Sequence, residues 1–126
     1  MINCGIIGYG KIGKIRAREI EENPETRLVA LCDVIESEAI PAGVAWCPSV
    51  EQLMDESVDA VFICTPNNVN APYTIMALNS GKHVFCEKPP ARTSKEVEDV
   101  IAAERKAGKV LKYGFNHRYH YSVIEA

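Results

Sequence analysis

Gly8-Tyr9-Gly10-Lys11-Ile12-Gly13 forms a G-x-G-x-x-G hexad directly after the apolar run Ile2-Asn3-Cys4-Gly5-Ile6-Ile7. A carboxylate, Asp33, closes the next apolar run, about twenty residues beyond the hexad. A glycine hexad alone is common in loops; between a strand-like run and a helix-like run, with an acid at that spacing, it points to a dinucleotide. Gly8 permits a tight turn off the strand, Gly10 offers no side chain to hold a pyrophosphate away from the backbone, and Gly13 lets the helix pack close to the sheet. The diphosphate would then meet the free N–H groups and positive dipole end of that helix. Tyr9, Lys11 and Ile12 complete the loop and belong to the same expected contact surface.

Asp33 discriminates between dinucleotides. Its carboxylate can accept hydrogen bonds from the adenosine ribose hydroxyls of NAD, whereas NADP would bring a phosphate against it at a cost of roughly a few kcal/mol before screening. The following stretch, Val34-Ile35-Glu36-Ser37-Glu38, contains no Arg or Lys to clamp that phosphate. NAD is therefore the expected cofactor and NADP the less favoured one. An acid here suits any ribose, so the hexad alone leaves S-adenosylmethionine open.

The elements that must position these residues alternate along the chain. Apolar runs at 2–7, 27–32, 44–47, 59–64, 82–86 and 109–115 read as strands, separated by amphipathic segments. This is the rhythm of a doubly wound parallel α/β sheet, a Rossmann dinucleotide-binding fold covered on both faces. In the first helix Gly13, Ala17 and Ile20 form the buried stripe. A poorly formed helix is expected near 35–40 and a short one near 49–54. A further helix over 70–80 has Pro72 in its first turn, an apolar stripe of Ala71, Ile75 and Leu78, and Gly81 at its end. The last begins at Thr93 with Glu96 spaced as a capping box, buries Val97, Val100 and Ile101, and stops near Gly108.

In such a sheet ligands lie across the carboxyl ends of the strands. Three loops there carry polar residues where the nicotinamide half should arrive: Cys64-Thr65-Pro66-Asn67-Asn68, Cys86-Glu87-Lys88-Pro89-Pro90 and Phe115-Asn116-His117-Arg118-Tyr119. Asn70 follows the first of them. These loops argue against S-adenosylmethionine. Read by itself, Glu87-Lys88-Pro89-Pro90 is more readily a rigid turn with Lys88 in water than a site, and such a turn beside a ligand is where a cis Lys88–Pro89 bond is expected.

The 126 residues make one domain, with 14 basic and 17 acidic residues and a net charge of −3. No basic patch favours nucleic acid, no apolar run approaches membrane-spanning length, and no secretion signal opens the chain. The five cysteines are widely spaced without a CxxC or Cys/His cluster, so no metal is expected. Free buried thiols fit a reducing compartment, and the cytoplasm is the expected location.

Together, Gly8 to Gly13, Thr65-Pro66-Asn67, Gly81-Lys82-His83-Val84-Phe85-Cys86-Glu87-Lys88-Pro89 and Gly114-Phe115-Asn116-His117-Arg118-Tyr119 resemble the Gfo/Idh/MocA family of NAD(P)-dependent sugar oxidoreductases, over nearly the whole chain. Glu87-Lys88-Pro89 is the most specific carrier. The resemblance implies that Lys88 is catalytic, lying beside the nicotinamide ribose and the reacting hydroxyl. It adds Cys64, Thr65, Pro66, Asn67, Asn70, Glu87, Lys88, Asn116 and Arg118 to the expected cofactor contacts. It implies hydride transfer between NAD and a secondary alcohol of a sugar, cyclitol or related polyol. A non-catalytic NAD-binding sensor of the same fold is the alternative, against which the retained Glu87-Lys88-Pro89 argues.

Two departures stand out: Asn70 occupies a position where the family often has histidine, and the chain stops at Ala126. The expected organisation is a Rossmann domain over 1–118 and the start of a truncated connecting helix over 119–126. The family's second domain would then be absent, and with it the substrate pocket, a catalytic histidine and the homo-oligomer interface; this chain alone would be inactive. His117 and His120 read as surface residues rather than substitutes for that histidine.

Overall fold

The structure is a computed structural model describing residues 1–34, 40–65 and 67–114, with Asn67 described in its backbone only. Six strands, β1 (Ile2–Ile7), β2 (Thr26–Cys32), β3 (Ala45–Cys47), β4 (Ala60–Ile63), β5 (His83–Glu87) and β6 (Leu111–Gly114), form one sheet in the order β3-β2-β1-β4-β5-β6. Every pairing is parallel. The chain builds outward from β1 through β2 to β3, then crosses back to lay β4 on the other side of β1, so the strand order reverses between β1 and β4. That reversal opens a crevice at the carboxyl edge. Register aligns the strand ends there: Ile7 pairs with Cys32 and Ile63, Ile63 with Cys86, and Glu87 with Gly114. Gly8, Asp33, Cys64 and Glu87 thereby reach one edge of the sheet.

Side chains alternate across the sheet. Cys4, Ile6, Leu28 and Leu31 pack on one face against Ala17 and Ile20 of α1 (Lys11–Glu22). Ile7, Ala30, Val61, Ile63 and Val84 pack on the other against α2 (Val50–Asp55), α3 (Asn67–Asn79) and α4 (Ser94–Ala107). The stripe expected in α1 is the buried one, Gly13, Ala17 and Ile20. Ser49 caps α2 by accepting from Gln52 N–H. Thr93 caps α4 by accepting from Glu96 N–H, Glu96 in turn accepts from Arg92 N–H at 2.7 Å, and Gly108 ends the helix at φ 65°.

Two local expectations change. Helix α3 starts at Asn67, not residue 70, so Pro72 lies in its second turn. The missing N–H removes the intrahelical donor to the Asn68 carbonyl, and the buried Asn70 side chain fastens this turn to the neighbouring loop instead. In α4 the buried residues are Val100 and Ala103, while Val97 and Ile101 remain 41% and 40% exposed along the flank facing β6. The segment expected to be helical near 35–40 lies mostly outside the described residues. Among the described residues, no helix is long and apolar enough to cross a membrane.

Candidate cofactor site

The turn after β1 can be built only from glycine at two of its three positions. Gly8 has φ +93°, its N–H donates to Cys32 O at 2.7 Å, and a Cβ there would lie 2.7 Å from Cys64 O. A Cβ on Gly13 would overlap the Gly8 carbonyl, so α1 rests directly on the turn. Gly10 differs: nothing lies within 4 Å of where its Cβ would be. Among the described residues the bare backbone there borders open space, so no packing within the described fold requires a glycine at this position. Gly10 is also the N-cap of α1, extended and without a side-chain hydrogen bond, whereas α2 and α4 are both side-chain capped. The first turn of α1 holds no acid and carries Lys11 and Lys14. Free N–H groups, a positive dipole end and a backbone cradle that no side chain fills fit the diphosphate of a dinucleotide.

Asp33 is held at the mouth of this cradle. Tyr9 N–H donates to its Oδ2 and Val34 N–H to its Oδ1, both at 2.7 Å, leaving lone pairs on each oxygen for ribose hydroxyls. A cavity of about 250 Å³ opens beside it, lined among others by Gly8, Cys32, Asp33, Pro48, Val50, Glu51, Thr65 and Tyr73. Mostly apolar walls with two carboxylates suit the adenosine half. The sequence reading missed Glu51, whose position in the first turn of α2 looks like ordinary helix capping. Burial pushes the Cys32 thiol up to about 11, with Cys47, Asp33 and Glu51 adding to the effect.

A second cavity of about 240 Å³ is lined by Ile12, Cys64, Thr65, Glu87, Lys88 and Gly114. Thr65 lines both cavities, so they share a wall at the crevice. Lys88 is exposed at the rim, and the Lys88–Pro89 bond is cis as expected. Cys64 is a partly buried thiol pushed up to about 12 by burial, further raised by Glu87 and opposed by Arg16; it is protonated at neutral pH and shapes the wall rather than reacting.

Two residues expected at the cofactor are engaged within the protein. Asn70 is fully buried: its amide donates to Glu87 O at 3.1 Å and Pro89 O at 2.8 Å, and its Oδ1 accepts from Thr65 Oγ1 at 2.9 Å. It ties the loop after β4 to the loop after β5 from behind the cavities. Glu87 reaches the second cavity but its carboxylate is clamped by Arg16 of α1, with Nε to Oε1 at 2.8 Å and Nη2 to Oε1 at 2.6 Å. Arg16 also holds Glu19 at 2.9 Å and lies 5.1 Å over the Phe85 ring. The sequence reading missed Arg16 because its partner is 71 residues away. Pro66, Asn116 and Arg118, with His117, His120 and the Asn67 side chain, lie outside the described residues.

An uncapped glycine cradle, a fixed ribose acid and a strand-order reversal define a dinucleotide-binding α/β domain. The family described as "Oxidoreductase family, NAD-binding Rossmann fold" matches residues 2–115, and the chain belongs to this Gfo/Idh/MocA family. It is 35% identical to the D-glucoside 3-dehydrogenase of Escherichia coli, covering 94% of this chain and 36% of that protein. It is 34% identical to the myo-inositol 2-dehydrogenase of Thermotoga maritima, covering 94% and 37%. The crystal structure of myo-inositol 2-dehydrogenase from Lactobacillus plantarum superposes with a TM-score of 0.87 at 29% identity, covering 96% of this chain and 38% of that one. The chain thus spans little more than a third of the length of these relatives.

Proposed function

We propose that this chain is the cofactor-binding part of an NAD-dependent oxidoreductase that moves a hydride between the nicotinamide and a secondary alcohol of a sugar, cyclitol or related polyol. The observation that carries the reading is the exposed Lys88 on the rim of a cavity sharing Thr65 with the adenosine-side cavity beside the glycine cradle. The N–H groups at the start of α1 take the diphosphate, Asp33 accepts from the adenosine ribose, and Thr65 spans the two halves. NAD, when bound, supplies the hydride acceptor or donor. In the oxidation direction Lys88, as the neutral amine, accepts the substrate hydroxyl's proton as the carbon gives up hydride, and the ammonium so formed stays beside the new carbonyl oxygen; in the reverse direction that ammonium returns the proton. The relatives named for D-glucoside and myo-inositol support a polyol substrate.

Asp33, with Glu51 on the same cavity, favours NAD over NADP. The five unpaired cysteines support residence in a reducing compartment, which the cytoplasm provides. Parallel calorimetric titrations with NAD, NADP and S-adenosylmethionine test the reading. Saturable NAD binding with much weaker NADP is the expected result. Preference for NADP overturns the role of Asp33, and preference for S-adenosylmethionine overturns the oxidoreductase.

A further inference from the structure

We propose that the Arg16–Glu87 ion pair in the wall of the second cavity sets which oxidation state of the nicotinamide this chain binds more tightly. Glu87 favours the oxidised, cationic ring, and Arg16 restrains that preference. The inference rests on the reading that the nicotinamide half enters this cavity.

Glu87 ends β5 and lines the cavity next to Lys88, with its side chain only 13% exposed. Its carboxylate already lies over Gly114 of β6, in the space a Cβ there would occupy, and the Arg16 guanidinium holds it in that position. Arg16, 15% exposed, is pinned from three sides by Glu87, Glu19 and the Phe85 ring. The pair is therefore a fixed, half-desolvated dipole whose acidic end faces the cavity. The neighbouring Cys64 thiol senses both charges, Glu87 raising its pKa more than Arg16 lowers it.

NAD and NADH differ by one hydride, so the oxidised ring carries one more positive charge. Diphosphate and ribose contacts are common to both forms and cancel in the ratio of their dissociation constants. A fixed charge beside the ring does not cancel. Lys88 adds an exposed cation at the rim, which the variants below leave unchanged. A pair that only braced the loop would weaken both forms equally when broken.

The test is separate calorimetric titration of NAD and NADH into the wild-type chain and into Arg16→Met, Glu87→Gln, the double variant and Arg16→Lys. Arg16→Met should shift the preference toward NAD by about fivefold, and Glu87→Gln toward NADH by about fivefold. The double variant and Arg16→Lys should stay within about twofold of wild type, the first by cancelling both charges and the second by keeping the cation. Should Arg16→Met not fold, Glu87→Gln alone carries the directional result. A ratio unmoved in the variants, or moved in one direction by both, overturns this inference while leaving the site standing. Wild-type silence toward both forms overturns the site reading and this inference with it.

Discussion

Three glycines that look alike in the hexad do different work, and substitution separates them. Gly10 has φ −84° and free space at its Cβ, so Gly10→Ala should leave stability unchanged or raise it by up to about 1 kcal/mol while weakening NAD by about tenfold, because the methyl fills the cradle. Gly13→Ala drives a methyl into the Gly8 carbonyl and should cost about 1–3 kcal/mol in urea denaturation. Equal effects of the two changes on stability would remove the argument that Gly10 is kept for a ligand. Glu51→Gln tests the second carboxylate: it removes a charge from the adenosine-side cavity without disturbing the bonds that hold Asp33, so NADP should bind about threefold tighter with NAD unchanged. An unchanged NADP affinity would leave discrimination to Asp33 alone. The hexad and Asp33 were legible because their spacing is local. Glu51 was not, since a Ser49-capped helix with an acid in its first turn explains itself without a ligand.

The buried face of helix α1 was readable because its stripe of Gly13, Ala17 and Ile20 is written at helical spacing within one segment, whereas the start of α3 was misplaced. Its start and its buried Asn70 answer to carbonyls 17 and 19 residues further on, in a loop no periodicity connects to it. In α4 the apolar residues were identified but not their depth: only Val100 and Ala103 are buried, while Val97 and Ile101 lie on a flank that lines a cavity with Leu111 and Tyr113. Asn70 is accordingly the element-scale test. Asn70→Ala removes the amide donor from the Glu87 and Pro89 carbonyls and the acceptor from the Thr65 hydroxyl, and should cost about 2–3 kcal/mol by chemical denaturation. If Asn70 instead contacted the cofactor, the change would weaken NAD with little loss of stability, and the two measurements together tell these roles apart.

Across the whole molecule the strand rhythm announced a parallel sheet, but the order of strands follows from crossovers that apolar runs do not encode, and the register then aligns the site-bearing strand ends on one edge. Closing both faces also buries most of the thiols, which gives the fold a definite alkaline limit. Burial pushes Cys86 up to about 11 and Cys64 to about 12 from an ordinary 9.0, and Cys4, Cys32 and Tyr113 rise in the same sense. Above pH 9 the unfolded chain loses thiol protons that the native chain keeps, so unfolding releases protons and rising pH favours it. The stability these groups contribute is complete below about pH 8 and falls from there to about pH 11–12, by at most about 1.4 kcal/mol per pH unit for each of Cys64 and Cys86. Urea denaturation at pH 7, 8 and 10 should therefore show a midpoint that holds between the first two and drops at the third, and Cys86→Ala should flatten the drop. A midpoint independent of pH up to 10 would mean that the thiols ionise inside the native sheet, and that its faces are less well closed than the packing around them requires.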